Sequence, residues 1–257
     1  MKREESRFAD SNVFEGMVSF RALIAGIESG ISDRKIEKVI YDKSRAKKLA
    51  GHLSYIKAMS YKHGFVLEAV DSEAIEEIAI GTSHGGVIVY ATERHFPSLS
   101  EERLVSGGFY MMLDGIEDPY NFGYAMRSLY AAGVDGVILP ERNWMSAAGV
   151  VCRASAGASE QVRIFTASAD DAARVFKSAG YRVVCAELEN SVSVYDAKLN
   201  KPILLCVGGE KRGLSKSLIE NADEIVRLDY GRDFPQALSA ASAASILAFE
   251  VLRNNRN

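Results

Sequence analysis

Six short, nearly continuous apolar runs in the second half of the chain constrain the fold most. They read FYMMLD, GVILP, VRIF, YRVVCAE, PILLCVGG and EIVRLDY. Strands that are apolar along their whole length are buried on both faces, which is typical of a mostly parallel sheet covered by helices. Between the runs lie stretches with helical spacing, at 122–132, about 146–153, 169–179, 213–221 and 236–253. The pattern predicts an α/β fold for this half of the chain.

The first part of the chain also alternates helix and strand signals. Helical spacing marks VFEGMVSFRALIAGIESG, SRAKKLAGHLSYIKAMSYKHG and DSEAIEEIA, and strand composition marks IEKVIYD, FVLEAV and GGVIVYAT. This order predicts a small αβαβαβ domain. The stretch HFPSLSEERLVSG has a proline, serines and charges with little periodicity, as linkers do. We therefore expect a first domain at 1–95, a linker at 96–107 and a second domain at 108–257.

Composition excludes several classes of protein. The chain has 257 residues, of which 47% are hydrophobic and 25% charged, as in an ordinary globular protein. A net charge of −3 argues against a strongly basic nucleic-acid coat protein. The three cysteines lack CxxC spacing, which predicts free thiols in a reducing compartment and no metal site. The start of the chain has no apolar core of a signal peptide, and no run has the length of a membrane span, so we expect a cytoplasmic location and no membrane partner.

A local excess of positive charge lies in the first domain. Lys43, Arg45, Lys47 and Lys48 belong to a segment, 34–62, in which only Glu37 and Asp42 are acidic. Such a segment can contact phosphates, and these four residues are the candidates for such contacts. The alternative interpretation of the segment is a solvated helix face.

Ligands of open parallel sheets bind in the loops at the carboxyl ends of the strands, and three such loops stand out. The first is LDGIEDPYNFGYAMRSLYAAG, where Asn121 is placed to cap a helix from 122 and Arg127 points away from the apolar helix face. The second is LLCVGGEKRGLS, whose glycines allow close approach of a ligand to the backbone. The third opens an Ala- and Ser-rich helix after Pro235. Each loop alone is also explained by an ordinary capped helix, glycine turn or close-packed helix.

Taken together and in this order, the three loops resemble the signature motifs of the SpoU/TrmH branch of the SPOUT superfamily. DPYNFGYAMRSLYAAGVDGVIL resembles the first motif, LLCVGGEKRGLS the second, and the helix after Pro235 the third. The resemblance covers roughly residues 109–253. The first 95 or so residues resemble a small ribosomal-protein-like RNA-binding domain, and SHGGVIV is similar to the segment that closes it.

The resemblance implies an RNA substrate-binding domain at 1–95, with Lys43, Arg45, Lys47 and Lys48 as RNA-binding residues. For 108–257 it implies a trefoil-knotted α/β methyltransferase domain that acts as a homodimer. The implied activity is S-adenosylmethionine-dependent methylation of a ribose 2′-hydroxyl of rRNA or tRNA. The residues implied for the cofactor are Gly208, Leu228 and Leu238. The residues implied for catalysis are Arg127, Asn121 and Glu210, with the arginine binding a phosphate or a developing alkoxide, because a guanidinium is a poor general base.

Two short segments depart from the family pattern, at two residues each, and leave an alternative open. Asp229 and Tyr230 stand where relatives have proline and methionine, and Ser239 and Ala241 stand where they have asparagine and serine. The alternative is an RNA-binding relative that binds the cofactor but has lost or altered catalysis. A generic nucleotide-binding enzyme such as a dehydrogenase is a further alternative, against which the absence of GxGxxG speaks.

Overall fold

The structure is a computed structural model that describes residues 12–140, 147–209 and 212–256. The chain divides into two compact units. Unit 1 comprises Met1–His95 and Asn143–Gln161, and unit 2 comprises Phe96–Arg142 and Val162–Asn257. The functional division into an RNA-binding domain, a linker and a catalytic domain stays a prediction.

Strands and helices alternate along both units. The strands are β1 (Val13–Glu15), β2 (Ile36–Asp42), β3 (Val66–Val70), β4 (Val87–Ala91), β5 (Phe109–Asp114), β6 (Gly136–Leu139), β7 (Ile164–Thr166), β8 (Arg182–Ala186), β9 (Val192–Ser193), β10 (Ile203–Gly208) and β11 (Glu224–Arg227). The helices are α1 (Gly16–Glu28), α2 (Ala50–His63), α3 (Ser72–Ile78), α4 (Pro119–Ala131), α5 (Ala148–Ala154), α6 (Ala169–Ser178), α7 (Lys216–Glu220) and α8 (Ala240–Asn254).

Unit 1 is built on a four-stranded mixed sheet in the order β1-β4-β2-β3. The predicted strands and helices are present, and Gly64 ends α2 in the left-handed conformation with φ 79°. The prediction that a helix begins at Val13 is wrong at its start. Val13, Phe14 and Glu15 instead pair antiparallel with β4, where all three are buried, and Gly16 turns the chain into α1 with φ 78°.

A segment from the second half of the sequence completes unit 1. Glu160 forms a buried ion pair with Arg34 at 2.9 Å, and Arg153 pairs with Glu15 at 2.6 Å. Close backbone packing accompanies the charges, because a Cβ atom on Gly26 would lie 2.2 Å from the carbonyl oxygen of Glu160. Residues 147–161 therefore serve as part of unit 1.

Unit 2 contains a seven-stranded sheet in the order β7-β6-β5-β10-β8-β11-β9, and every pairing is parallel. The six predicted strands are confirmed, and the sheet confirms the expected α/β class with a parallel sheet. Along β5 and β10 the side chains are buried almost throughout, as their apolar sequences require. The two-residue strand β9 is too short for a sequence signal. The trefoil knot stays a prediction.

The order of the strands places four loops at one edge of the sheet. Strands β5, β10, β8 and β11 are consecutive neighbours and run in the same direction. Their carboxyl ends therefore lie side by side, and the segments that follow them form one surface. This is the edge at which parallel sheets bind their ligands.

Candidate active site

A cavity of about 220 Å³ lies at this edge of unit 2. Its walls come from the ends of β8, β10 and β11 and from the start of α8. Most of the wall is aliphatic side chain and glycine backbone. The lining residues are Ala186, Glu187, Leu188, Val207, Gly208, Gly209, Gly213, Leu214, Val226, Arg227, Leu228, Tyr230, Ala237, Leu238, Ala240, Ala243 and Leu247.

The structure brings the three predicted cofactor residues together. Gly208, Leu228 and Leu238 lie on three different segments of the chain, and all three line the cavity. Apolar walls and exposed backbone amides and carbonyls suit a nucleoside-containing ligand, whose flat base needs apolar contact and a few directed hydrogen bonds. The cavity therefore fits an S-adenosyl group, and the role of each residue in binding it stays a prediction.

Glycines let the backbone segments around the cavity pack directly against one another. A Cβ atom on Gly208 would lie 2.3 Å from the carbonyl carbon of Gly213, and one on Gly209 would lie 2.1 Å from the carbonyl oxygen of Gly115. Gly213 has φ 64°, and its N–H donates to the Gly209 carbonyl at 2.9 Å. The motif glycines thus close the turn after β10 and bring it to the loop after β5.

Asp114, the last residue of β5, joins the same two loops by hydrogen bonds. Its carbonyl accepts from Gly209 N–H at 2.7 Å, and its carboxylate accepts from Ser215 N–H at 3.0 Å. A second cavity of about 200 Å³ lies here, lined by Asp114, Gly115, Glu117, Arg212, Gly213, Leu214 and Ser215. Gly213 and Leu214 line both cavities, so the polar second cavity and the apolar first cavity share a wall.

The first predicted loop differs in its cap. Asp118, not Asn121, is the N-cap of α4, and its carboxylate accepts from Asn121 N–H at 2.7 Å. Pro119 favours this earlier start, because proline at the first helical position has no N–H to lose and a suitable φ. The prediction that Asn121 caps the helix is therefore wrong. Asn121 lies in the first turn and is half-buried.

Arg127 is exposed on α4, as the helical spacing predicts. Neither Arg127 nor Asn121 lines either cavity. Tyr120 and Tyr124 are exposed on the same face of α4, since positions 120, 124 and 127 recur at i, i+4 and i+7. Glu210 lies outside the described residues.

The third loop is closed by contacts that the sequence does not reveal. The phenol oxygen of Tyr230 accepts from Leu238 N–H at 3.1 Å, which ties the end of β11 to the start of α8 across the cavity wall. Ser239 caps α8 by accepting from Ser242 N–H at 3.2 Å. Ala241 is buried. The hydroxyl that stands in place of the family's asparagine is thus used within its own helix.

Two cavity residues were missed by sequence reasoning. Tyr230 was visible only as a departure from the family pattern, with no signal for its hydrogen bond. Glu187 had a signal, because it directly follows the buried strand β8, at the edge where a parallel sheet binds its ligands.

The four candidate RNA-binding residues lie close together in unit 1 and are all exposed. Lys43 pairs with Asp71 at 2.6 Å, and this hydrogen bond raises the pKa of the lysine. Arg45 pairs with Asp42 at 3.2 Å. The described residues include no ion-pair partner for Lys47 or Lys48, so these two offer the least compensated positive charge of the four.

Within the ranges 12–140, 147–209 and 212–256, no group of three or more His, Cys, Asp or Glu side chains could hold a metal ion. In the same ranges, none of the helices combines the length and the apolar character that a membrane crossing requires.

Comparison with known proteins gives matches that cover most of the chain. The sequence profile of the SpoU rRNA Methylase family matches residues 108–249. YacO of Bacillus subtilis, a relative named for the TrmH family of tRNA/rRNA methyltransferases, is 27% identical over 237 residues, which cover 89% of this chain and 92% of the relative. The 23S rRNA (guanosine-2′-O-)-methyltransferase RlmB of Shewanella oneidensis is 28% identical over 201 residues, covering 76% of this chain and 80% of the relative.

Solved structures share the fold. The AdoMet-bound rRNA methyltransferase of Sinorhizobium meliloti superposes with a TM-score of 0.77 at 23% identity, covering 99% of this chain and 95% of that one. The SpoU methyltransferase AviRb of Streptomyces viridochromogenes, in complex with AdoMet, gives a TM-score of 0.72 at 20% identity and covers 94% of this chain and 89% of that one.

Proposed function

This chain belongs to the SpoU rRNA Methylase family and is an S-adenosylmethionine-dependent RNA methyltransferase, and we propose that its acceptor is a ribose 2′-hydroxyl of rRNA or tRNA. The observation that carries the proposal is the cavity in which Gly208, Leu228 and Leu238 meet, next to the polar cavity between Asp114 and Ser215. The guanosine-2′-O specificity named for the Shewanella relative supports a ribose acceptor.

The residues of the first cavity would hold the cofactor. Leu228 and Leu238 supply apolar contact for a base, and the backbone around Gly208 and Gly213 admits close approach. When bound, S-adenosylmethionine supplies an electrophilic methyl group on a positively charged sulfur. The protein then has two tasks, which are to align the acceptor hydroxyl with that methyl group and to favour loss of the hydroxyl proton.

Arg127 is the residue to which we assign stabilisation of the acceptor. Its guanidinium stays protonated and offers a planar fork of donors to a phosphate or an incipient alkoxide. Asn121, two turns earlier on α4, is assigned to orienting the ribose or the arginine. Glu210 is assigned to fixing the loop after β10.

The Arg127 assignment has a direct test. Arg127→Ala is expected to lower methyl transfer by roughly 10²–10³-fold while cofactor affinity changes little. Arg103→Ala removes an exposed arginine elsewhere in unit 2 and serves as the control. Near-normal turnover by the Arg127 variant would contradict the assignment.

We assign the exposed face of α4 to a homodimer contact. Tyr120 and Tyr124 lie on it beside Arg127, and α4 packs against α8, whose Phe249 is also exposed. Aromatic side chains with an arginine among them are the composition of interface centres. Sedimentation of Tyr124→Glu should then give monomer, while Tyr195→Glu, which alters another exposed tyrosine, should leave the dimer intact.

Unit 1 is assigned to RNA binding through Lys47 and Lys48, with Lys43 and Arg45 beside them. Contacts of this kind position the RNA without reading its sequence. Replacing both Lys47 and Lys48 with alanine should weaken binding and reduce the slope of log affinity against log salt by roughly 2. An unchanged slope would remove these lysines from the interface. A cytoplasmic location agrees with this function and stays a prediction.

A cofactor-binding RNA protein without turnover is the second candidate. It is favoured by one observation, which is that Ser239 caps α8 and the neighbouring Ala241 has no hydroxyl. Nucleoside-resolved 2′-O-methyl mapping of RNA from cells with and without the gene decides between the two. Loss of one site would support methyl transfer and name the substrate, whereas calorimetric binding of the cofactor with no lost site would favour the second candidate.

A further inference from the structure

Glu187 places a carboxylate in the wall of the cofactor cavity. It is the first residue after β8, and its N–H donates to the Val226 carbonyl at 3.0 Å, which fixes the backbone between β8 and β11. One carboxylate oxygen, Oε1, accepts from Leu188 N–H at 2.8 Å. Hydrogen bonds therefore fix both the backbone and the carboxylate of Glu187, although the residue is only half-buried.

The other carboxylate oxygen lies near the glycine turn. A Cβ atom on Gly213 would lie 3.6 Å from Glu187 Oε2, which is ordinary van der Waals contact, so the carboxylate lies close to the Gly213 backbone. Among the described residues, no cation pairs with Glu187 and no donor is bonded to Oε2. A carboxylate oxygen in this setting can accept hydrogen bonds from a ligand.

The relation between Glu187 and the glycines follows from the register of the sheet. Val207 of β10 is the partner of Ala186 of β8, so the next residues, Gly208 and Glu187, lie at the same level at the carboxyl edge. A glycine turn after one strand and an acidic residue at the end of a neighbouring strand form a recurrent arrangement in parallel sheets. There the turn admits the ligand to the backbone and the carboxylate binds the hydroxyls of a ribose.

We propose that Glu187 is a cofactor-specificity residue that accepts hydrogen bonds from the vicinal ribose hydroxyls of the S-adenosyl group. The proposal rests on the proposed function, because it assumes that this cavity binds the cofactor. Two hydroxyl donors match the acceptor capacity of one carboxylate, and a charged acceptor makes these the stronger kind of hydrogen bond. A ligand with the same base but without the ribose diol would bind more weakly.

Binding measurements with S-adenosylhomocysteine and its 2′-deoxy and 3′-deoxy analogues test the proposal by calorimetry. The wild-type protein should bind the parent compound about tenfold more tightly than at least one deoxy analogue, the size expected for a hydrogen bond to a charged group. Glu187→Gln and Glu187→Ala should each weaken the parent compound and reduce that preference to about twofold or less, as the partner of the hydroxyl is lost.

Glu189→Gln is the matched control. Glu189 is an exposed acid two residues further on and does not line the cavity. This variant should keep both the wild-type affinity and the preference for the diol. Thermal unfolding of all variants shows whether the binding data come from folded protein, and the diol preference within each variant is independent of its absolute affinity.

Two outcomes would overturn the proposal for Glu187, and a third would count against the proposed function. Persistence of the full diol preference in both Glu187 variants would overturn the proposal. A loss of affinity for S-adenosylmethionine but not for S-adenosylhomocysteine would also overturn it, since Glu187 would then act on the positive sulfur. Absence of binding of either compound to the wild-type protein would instead count against the proposed function.

Discussion

The two units of the chain join distant segments in different ways. In unit 1, Arg34 and Glu160 are separated by 126 residues and meet as an ion pair with both side chains almost fully buried. Around the cavity of unit 2, Gly208 meets Gly213 and Gly209 meets Gly115, backbone against backbone. Unit 1 therefore depends on charges that must keep their partners, and the cavity depends on positions that tolerate no added atom.

The buried charges of unit 1 also bind backbone groups of several segments. Arg34 also donates to the Thr92 carbonyl at 2.7 Å. Arg94 donates to the carbonyls of Ser159 at 2.7 Å and Ile31 at 3.0 Å. Glu15 accepts from the N–H of Ile80 at 2.6 Å besides its pair with Arg153. Arg34, Arg94 and Glu15 thus each have partners on two segments, as burial of a charge requires.

Removing one partner of the buried pair should give the largest effect. Glu160→Ala leaves the Arg34 guanidinium buried without its counter-charge, which costs about 3–5 kcal/mol of unfolding free energy. Urea unfolding measures the loss. Glu68→Ala breaks the exposed Lys38–Glu68 pair of the same unit and should cost less than about 1 kcal/mol. Equal losses in the two variants would contradict the distinction between the pairs.

The cysteines report which unit opens first. Cys152 belongs to unit 1, whereas Cys185 and Cys206 belong to unit 2, and all three are buried. Burial raises the pKa of the Cys152 thiol to about 12, so the reactive thiolate is scarce in the native protein. In Glu160→Ala, a thiol reagent should label Cys152 faster than Cys185 and Cys206, because the destabilised unit 1 opens first. Simultaneous labelling of all three would show that the units open together.

Adding one carbon to the cavity should have the next largest effect. Gly208→Ala puts a methyl group 2.3 Å from the backbone carbon of Gly213, which forces the turn after β10 to move. Overpacking of this kind costs about 1–3 kcal/mol, and we expect a loss of cofactor affinity of the same size, measured by calorimetry. Gly231→Ala is the control, since a Cβ atom there meets nothing within 4 Å. Wild-type affinity in Gly208→Ala would contradict the close packing of the turn.

Removing a single oxygen from the cavity wall should have the smallest effect. Tyr230→Phe deletes the acceptor of the Leu238 N–H and leaves the ring in place. Loss of this tie lets the segment before α8 move, and cofactor affinity should fall by a factor corresponding to about 0.5–1.5 kcal/mol. Calorimetry against Tyr195→Phe, an exposed tyrosine outside the cavity, isolates the effect. Tighter binding by Tyr230→Phe would mean that the phenol competes with the ligand for that N–H.

The sequence predicted what depends on local pattern. FYMMLD and PILLCVGG were recognisable as β5 and β10 because short, continuous apolar runs are typical of strands that are buried on both faces of a sheet. Gly208, Leu228 and Leu238 could be grouped only through the family motifs, and the structure places them in one cavity.

Features that depend on long-range contacts were not predictable from the sequence. Val13–Glu15 continues the helical spacing of α1, and only its pairing with β4, more than seventy positions later, makes it a strand. The cap of α4 is a different, local case, because several polar residues precede the helix and Asp118, three residues before Asn121, takes the role. Nothing in the sequence around Glu160 indicates that its partner is Arg34.

The discontinuity of unit 1 limits how this protein can be rearranged by recombination. A break in the gene after residue 95 would separate Arg34 and Glu15 from Glu160 and Arg153, and each fragment would inherit charges whose partners are encoded in the other. Exchange of the first domain between relatives would therefore succeed only when residues 143–161 travel with it. Unit 1 is therefore encoded by two separate stretches of sequence that must be exchanged together.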